Sequence, residues 1–495
     1  MEALECPGLR AVALSCRYGK EWVFKDLIFS VKPGDAIGIV GPSGSGKTTL
    51  AYCLTGIIPK YIKCDLSGSV YVDGKNVLEL DDKERPKIVN IVLQNYEVQI
   101  FGLTVEEDLL FVLENLGLYD EKEIENRLEW ILESFGLKEY RKYQVNELSG
   151  GLRQRLALAS TLLMSPKYIV MDDPMANLDW PGIIGLRRTL QMLKESGHGL
   201  VVTARRLKGL EPVIDRTIFL GRMPAQRGTP DGTTDGGCPT FDGAEPVIRF
   251  EKVWFSYAKR AVLKGVDLSI SRGQCVVLMG PNGSGKTTLA KHVNGLLKPS
   301  SGRVLVLGKD TKTHGPAQMA RHVGFVFQDP DKHITQETVW DEAVFGPKNL
   351  GITYSYAEAA LRILGLAHRR NDPPYRLSTG ERVRLSIAGS LAVDPEILIL
   401  DEPTTGQDEE TLSIIGSTIK EMKRKGKSVL VITHDSDFAL KVGDRVIVMY
   451  DGEVVADGQP SRILFNEDLL ERFDLEPPSS ILLQQTKAVP DHVEA

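Results

Sequence analysis

The sequence predicts an α/β fold built twice in tandem. The first observation is a repeated loop: Gly41-Pro42-Ser43-Gly44-Ser45-Gly46-Lys47-Thr48-Thr49 recurs as Gly280-Pro281-Asn282-Gly283-Ser284-Gly285-Lys286-Thr287-Thr288. The second is what flanks it. Ala36–Val40 and Cys275–Met279 are apolar runs of buried-strand length just before each loop, and a helix-like stretch follows each loop. The third is a second strand-like run that ends in acid in each half: Ile169-Val170-Met171 before Asp172-Asp173, and Leu398-Ile399-Leu400 before Asp401-Glu402. Strand, loop and helix in that order are the building unit of a parallel sheet.

Lys47 and Lys286 stand 239 residues apart, and Asp172 and Asp401 stand 229 apart. The repeat is therefore a whole domain, far longer than a solenoid unit, and its second copy is ten residues shorter between loop and acid. Residues 1–222 read as the first domain and 246–495 as the second, with a C-terminal helical tail. Residues 223–245 are rich in Gly, Pro, Thr and Asp and poor in large apolar side chains, so they cannot build a core and read as a flexible linker. In the tail, residues 463–473 read as one amphipathic helix. Pro477-Pro478 follow, and the polar tail beyond them reads as frayed.

Composition excludes some classes of function. Hydrophobic residues make up 42% and charged residues 25%, as in ordinary globular domains, and the net charge of -6 with no long basic run argues against nucleic acid as a partner. No apolar run approaches the roughly 20 residues that a membrane span needs. Residues 1–10 carry Glu2 and Glu5 and no signal-peptide core, so the chain is expected to stay in the cytosol and to reach a membrane through partners. The six cysteines are widely spaced without a Cys-x-x-Cys pair and read as free thiols of a reducing compartment.

The chemistry lies in the repeated pieces. Glycines such as Gly41, Gly44 and Gly46, or Gly280, Gly283 and Gly285, let successive backbone N–H groups converge on phosphate oxygens, and the helix that follows adds partial positive charge. Lys47 and Lys286 then reach the terminal phosphates, and Thr48 and Thr287 bind Mg²⁺. A carboxylate at the C-terminal end of a buried strand beside such a loop suits Mg²⁺, which assigns Asp172 and Asp401 to the metal. The adjacent acids, Asp173 and Glu402, are placed to orient or polarise the attacking water.

Leu148-Ser149-Gly150-Gly151-Leu152-Arg153-Gln154-Arg155 and Leu377-Ser378-Thr379-Gly380-Glu381-Arg382-Val383-Arg384 lie upstream of the acidic strands and open helices. They resemble the signature motif of ABC ATPases. The resemblance covers nearly the whole chain and implies two P-loop NTPase (ABC ATPase) domains, each with a RecA-like α/β core, an antiparallel β subdomain and a helical signature subdomain. It makes Gln94 and Gln328 the Q-loop glutamines, each a metal ligand and Gln328 also catalytic. It makes Asp179 and Asp408 the D-loop acids and His434 the switch histidine. Tyr18 and Tyr257 would stack on adenine. In this family two ATPase domains pair head to tail, so each ATP lies between one domain's phosphate loop (including Ser43 and Thr49, or Asn282 and Thr288) and the other's signature (Ser149, Gly150 and Gly151, or Ser378 and Gly380).

The segments after the Q-loop glutamines narrow the resemblance. Asp329-Pro330-Asp331 and Thr338-Val339-Trp340-Asp341-Glu342-Ala343-Val344-Phe345-Gly346-Pro347-Lys348-Asn349-Leu350-Gly351 follow Gln328. Val98-Gln99-Ile100-Phe101, Thr104-Val105-Glu106-Glu107-Asp108 and Asn115-Leu116-Gly117 follow Gln94. These look like the ATPases of energy-coupling factor (ECF) transporters, the cobalt, nickel and vitamin uptake systems, as does the ending Asp457-Gly458-Gln459-Pro460 with Leu475-Glu476-Pro477-Pro478. The partners so implied are a transmembrane coupling subunit and a small substrate-binding membrane protein. The segments after each Q-loop would take the coupling helices into a groove.

The two copies differ where the chemistry happens. The second has Asp401-Glu402 and Thr433-His434-Asp435, the first Asp172-Asp173 and Thr203-Ala204-Arg205. Asp173 is one methylene shorter than Glu, which withdraws its carboxylate by roughly 1 Å, enough to cost about 10²-fold in a positioned reaction. Head-to-tail pairing would set the second loop, with Glu402 and His434, against Ser149-Gly150-Gly151, and the first loop, with Asp173 and Ala204, against the altered Ser378-Thr379-Gly380. All departures then fall in one composite site, giving one competent and one degenerate site. The competing reading is that Asp173 suffices and Arg205 replaces the histidine.

Two other functions fit parts of the pattern. A tandem ATPase of a monosaccharide importer has similar length, but the Phe345-Gly346-Pro347 run and the defect in the first half speak against it. A non-transport ABC protein of ribosome or DNA repair usually carries long charged linkers, coiled coils or iron–sulfur cysteines, and the 223–245 linker is short and only mildly acidic.

Overall fold

The computed structural model describes residues 7–19, 21–42, 44–117, 120–148, 150–176, 178–221, 246–258 and 260–482. They form two compact units, one on each side of residues 222–245. The predicted linker, the end of the tail (483–495), and the candidate residues Ser43 and Ser149 lie outside the described residues.

In the first unit the strands are β1 (Leu9–Tyr18), β2 (Glu21–Val31), β3 (Ala36–Val40), β4 (Asp65–Val72), β5 (Lys75–Asn76), β6 (Val89–Val92), β7 (Tyr168–Asp172), β8 (Gly199–Ala204) and β9 (Arg216–Phe219). β2-β1-β4-β5 form an antiparallel sheet, and β6-β7-β8-β3-β9 form a parallel one. The predicted strand Ala36–Val40 is therefore internal, and all five of its residues are buried, as a strand covered on both faces requires.

Alternation along the strands sorts side chains into two cores. Ile37, Ile39 and Val170 point to one face, where they meet Leu9 and Leu14 of the antiparallel sheet and Leu50 and Leu54 of the helix Lys47–Leu54. Ala36, Val40, Ile169 and Met171 point to the other, against Leu109, Leu156 and Leu190 of the helices Val105–Asn115, Gly150–Leu163 and Trp180–Glu195. Each such Leu contributes about 2 kcal/mol of burial. The phosphate-loop helix is thus clamped between the two sheets.

Helix starts follow from local chemistry. Thr104 and Glu107 form a capping box at Val105–Asn115, and Ser378 and Glu381 form one at Thr379–Leu391. Asp179 and Asp408, the predicted D-loop acids, are N-caps: their Oδ1 atoms accept from Gly182 N at 3.1 Å and Thr411 N at 2.8 Å.

The second unit repeats the plan with β10 (Pro246–Tyr257), β11 (Arg260–Ser271), β12 (Cys275–Met279), β13 (Ser301–Val306), β14 (Lys309–Asp310), β15 (Val323–Val326), β16 (Ile397–Asp401), β17 (Ser428–Ile432), β18 (Arg445–Tyr450) and β19 (Glu453–Gly458). The sheets run β11-β10-β13-β14 and β15-β16-β17-β12-β18-β19, the last strand being antiparallel to β18. The expected α/β fold, with RecA-like core, antiparallel β subdomain and helical signature subdomain, is what each unit has.

The tail differs from expectation. Residues 463–473 are not one helix but parts of two, Pro460–Leu464 and Glu467–Arg472, because Asn466 caps the second one, its Oδ1 accepting from Leu469 N at 3.1 Å. The segment around Pro477-Pro478 is packed, while the polar tail from residue 483 on lies outside the described residues. Leu475, Glu476 and Ile481 are buried, and Leu475 and Ile481 join the helical core of the unit. Among the described residues Cys16, Cys53, Cys64 and Cys275 are free thiols, and no helix is long and apolar enough to cross a membrane.

Candidate functional site

In each unit the phosphate loop, the predicted metal ligands and the predicted water-orienting acid gather at the C-terminal ends of the parallel strands, whereas the tyrosines and the predicted signature residues stand on other elements. In the second, the phosphate loop follows β12, Asp401 ends β16, and Thr433 and His434 follow β17, which lies between them; Gln328 stands two residues beyond β15. In the first, the loop follows β3, Asp172 ends β7, Thr203 and Ala204 end β8, and Gln94 stands two residues beyond β6. Gln94 and Gln328 are exposed at matching sheet edges.

The phosphate loops have equivalent lysines. Lys47 Nζ donates to the carbonyls of Gly41 at 2.6 Å and Pro42 at 2.7 Å; Lys286 Nζ donates to those of Gly280 at 2.8 Å and Pro281 at 2.9 Å. Gly46 and Gly285 have φ of 94° and 100° as the helices begin, a conformation that turns the loop's N–H groups inward. Tyr18 and Tyr257 end the first strands with half-exposed rings. Burial raises the Tyr18 phenol pKa, opposed by a hydrogen bond with Thr49, while Tyr257 sits edge-on to Phe255 at 4.8 Å.

The acids behave differently in the two units. In the second, Thr287 Oγ1 donates to Asp401 Oδ1 at 3.0 Å, joining two predicted metal ligands. Burial pushes the Asp401 carboxyl up to about 6; the Thr287 hydrogen bond opposes this and the charge of Glu402 adds to it. In the first, Thr48 is exposed, and Asp172 takes its hydrogen bond from Thr203 Oγ1 at 2.6 Å. The cause is a substitution. Thr433, the counterpart of Thr203, shares a 2.6 Å hydrogen bond with Thr404, and the residue in Thr404's place is Met175, which offers no hydroxyl. The other Asp172 oxygen, Oδ2, is buried without a hydrogen-bond partner among the described residues. An orphaned carboxylate oxygen in one unit and a carboxyl raised by burial in the other both fit a divalent cation, whose charge favours the ionised acid.

Next to them stand the predicted water-orienting acids. Glu402 has φ 51° and Asp173 φ 45°, so both turn sharply off their strands. Glu402 Oε2 lies 3.0 Å from His434 Nδ1. Burial alone would raise Glu402 and lower His434, but their mutual attraction wins: Glu402 is held below the usual carboxylate range and His434 is pushed up to about 9. Asp173 instead faces Arg205 Nε at 3.8 Å, and burial outweighs that looser pairing to raise its pKa.

The signature elements are placed as helix N-termini. Ser378 caps its helix. Gly380 is closely packed, since a Cβ there would meet Thr411 Oγ1 at 2.8 Å. Gly150 opens the helix Gly150–Leu163, and its carbonyl accepts from Tyr96 Oη at 3.0 Å. Three features escaped the sequence reading. One is the threonine pair Thr203 and Thr433. A second is a repeated ion pair between signature helix and Q-loop segment, Arg153–Glu97 at 2.8 Å and Arg382–Asp331 at 2.7 Å. The matching offsets, three residues after each Q-loop glutamine and four after each signature serine, were the available signal. The third is Glu476, buried near His434.

Comparison with known proteins agrees with this geometry. The family model described as ABC transporter matches residues 24–176 and 263–405. A Methanosarcina mazei protein named, provisionally, as an ABC transporter ATP-binding protein is 30% identical over 92% of this chain and 90% of its own. A Bacillus subtilis protein named, with the same reserve, as an HMP/thiamine import ATP-binding protein is 30% identical over 90% of each chain. Among solved structures, an archaeal ribosome recycling factor in complex with a ribosomal stalk protein superposes with a TM-score of 0.60 over 92% of each chain; at 21% identity that likeness is one of fold.

Proposed function

The chain belongs to the ABC transporter ATPase family, whose domains bind and hydrolyse ATP to power transport through transmembrane permease partners, and from that premise we propose that it energises an ECF-type importer of a micronutrient, a vitamin or a transition-metal cation. It would do so with Mg²⁺ at the cytoplasmic face of the cell membrane, bound to a transmembrane coupling subunit and a small substrate-binding membrane protein.

The observation that carries the reading is the surface that follows the Q-loop. In the second unit a groove of about 580 Å³ runs along edge strand β15, lined by Phe325, Phe327, His333, Phe345 and Asn349. Phe345 is 46% exposed. In the first unit Phe101 is 70% exposed and Leu103 is 80% exposed in the corresponding segment. Such apolar surface beside charged helices suits an amphipathic helix from a membrane subunit. The similarity to an HMP/thiamine import protein supports a vitamin-type cargo.

Within this role the second unit's catalytic set serves the competent composite site and the first unit's the degenerate one. The close Glu402–His434 pair against the loose Asp173–Arg205 pair supports this assignment. Affinity purification of the full chain from its native membranes tests the function. Capture of a coupling subunit with a small substrate-binding membrane protein is the expected result; capture of a sugar permease or of ribosomes would overturn it.

A further inference from the structure

The turn that carries His434 is held from behind by the C-terminal segment. Ser436, fully buried, donates its hydroxyl to the backbone carbonyl of Glu476. Asp437 accepts twice from Ser479, from the backbone N at 3.0 Å and from Oγ at 2.5 Å. The segment is anchored on both sides of these contacts: Phe473, Leu475 and Ile481 are buried in one cluster with Phe438, Ala439 and Val442 of the helix Ser436–Val442. Glu476 is 7% exposed, and its charge acts on His434. A buried carboxylate is costly unless it faces a positive partner. The imidazole already faces Glu402 through Nδ1 at 3.0 Å.

We propose that residues 475–481 are a clasp on the switch-histidine turn and that Glu476 is a positioning residue for His434. The hydrogen bonds through Ser436 and Asp437 set the height of the turn over the phosphate loop. The Glu476 charge joins those of Glu402 and Asp435 in favouring the protonated imidazole. The clasp acts through His434 and touches no nucleotide. It makes residues 475–481 part of what positions His434 in the second unit, and it rests on the reading of that unit as the competent one.

The test uses the full chain assembled with its membrane partners. Glu476→Gln keeps the backbone carbonyl and the size of the side chain; Asp437→Ala releases Ser479. Each is expected to lower kcat for ATP about 10- to 100-fold, as expected for a shift of a catalytic group by a fraction of an ångström to 1 Å, with KM within about twofold. Glu476→Asp should recover part of the loss. In protein labelled with ¹⁵N-histidine, Glu476→Gln should move the resonances of His434, assigned with His434→Gln, more than those of the other histidines. Wild-type kcat in Glu476→Gln and Asp437→Ala, while Glu402→Gln is inactive, would overturn the clasp alone. A Glu476→Gln variant that melts earlier yet turns over normally below its melting temperature would overturn it as well. Wild-type activity in Glu402→Gln would instead remove the competent-site reading and the clasp with it.

Discussion

His434 Nδ1 and Glu402 Oε2 stand 3.0 Å apart in the second unit, while the corresponding acid of the first, Asp173, lies 3.8 Å from Arg205. The first pair exchanges a hydrogen bond between buried opposite charges, strong enough to move both groups against the pull of burial. The second is too long for a hydrogen bond, and burial dominates. The chemistry of the two sites should differ accordingly.

Glu402→Gln preserves shape but removes the carboxylate that orients water. Steady-state ATPase in the assembled transporter should fall about 10²–10⁴-fold. Asp173→Asn should cost far less. Equal losses in both would mean two working sites, with Arg205 serving where a histidine serves in the second unit.

Stability should depend on pH through the His434–Glu402 pair. His434 is raised to about 9 from its ordinary 6.5, so its contribution is fully present below about 6.5 and fades as pH rises through 9. Glu402 is lowered, so its contribution is present above its ordinary 4.5 and fades as pH falls through the depressed value. Thermal melts between pH 6.5 and 9.5 should show the wild type losing on the order of 1–3 kcal/mol more than His434→Gln. Parallel curves would show that the pair adds nothing.

Docking should depend on the exposed phenylalanines. Phe101→Asp and Phe345→Asp each place a charge in an apolar contact. Each should reduce recovery of the membrane partners about tenfold or more while ATP binding persists. Unchanged assembly in both would exclude this surface as the docking groove.

The phosphate loop should tolerate one glycine substitution and not another. Gly280 has φ 137°, and a Cβ there would lie 2.0 Å from the Met449 carbonyl oxygen, whereas one at Gly283 meets nothing within 4 Å. Gly283→Ala should cost about 1 kcal/mol from its φ of 82°. Gly280→Ala should cost about 3 kcal/mol or more, because loop and strand β18 must separate. Equal denaturation midpoints for the two variants would contradict the close packing.

Much of this protein is written in short stretches of its sequence. The loops 41–49 and 280–288, the buried strands before them, the acids at 172–173 and 401–402 and the helix starts at Ser378 and Gly150 each depend on neighbours within a few residues. Chain geometry alone sets phosphate loop, strand end and helix N-terminus at such spacings. The copy-to-copy comparison also exposed Asp173 and Ala204 as departures, since a duplicated chain carries its own reference. What the sequence left open are contacts between segments brought together by the sheets. That Thr203 turns to Asp172 follows from Met175 lacking a hydroxyl, a relation visible only once β7 and β8 lie side by side. That residues 475–481 pack onto the unit follows from the apolar surface which the helix Ser436–Val442 offers to Leu475 and Ile481. Local propensity reads 463–473 as one helix and says nothing of what 475–481 touch; burial against a distant helix orders that segment, because the apolar area gained there outweighs the entropy of ordering a short stretch.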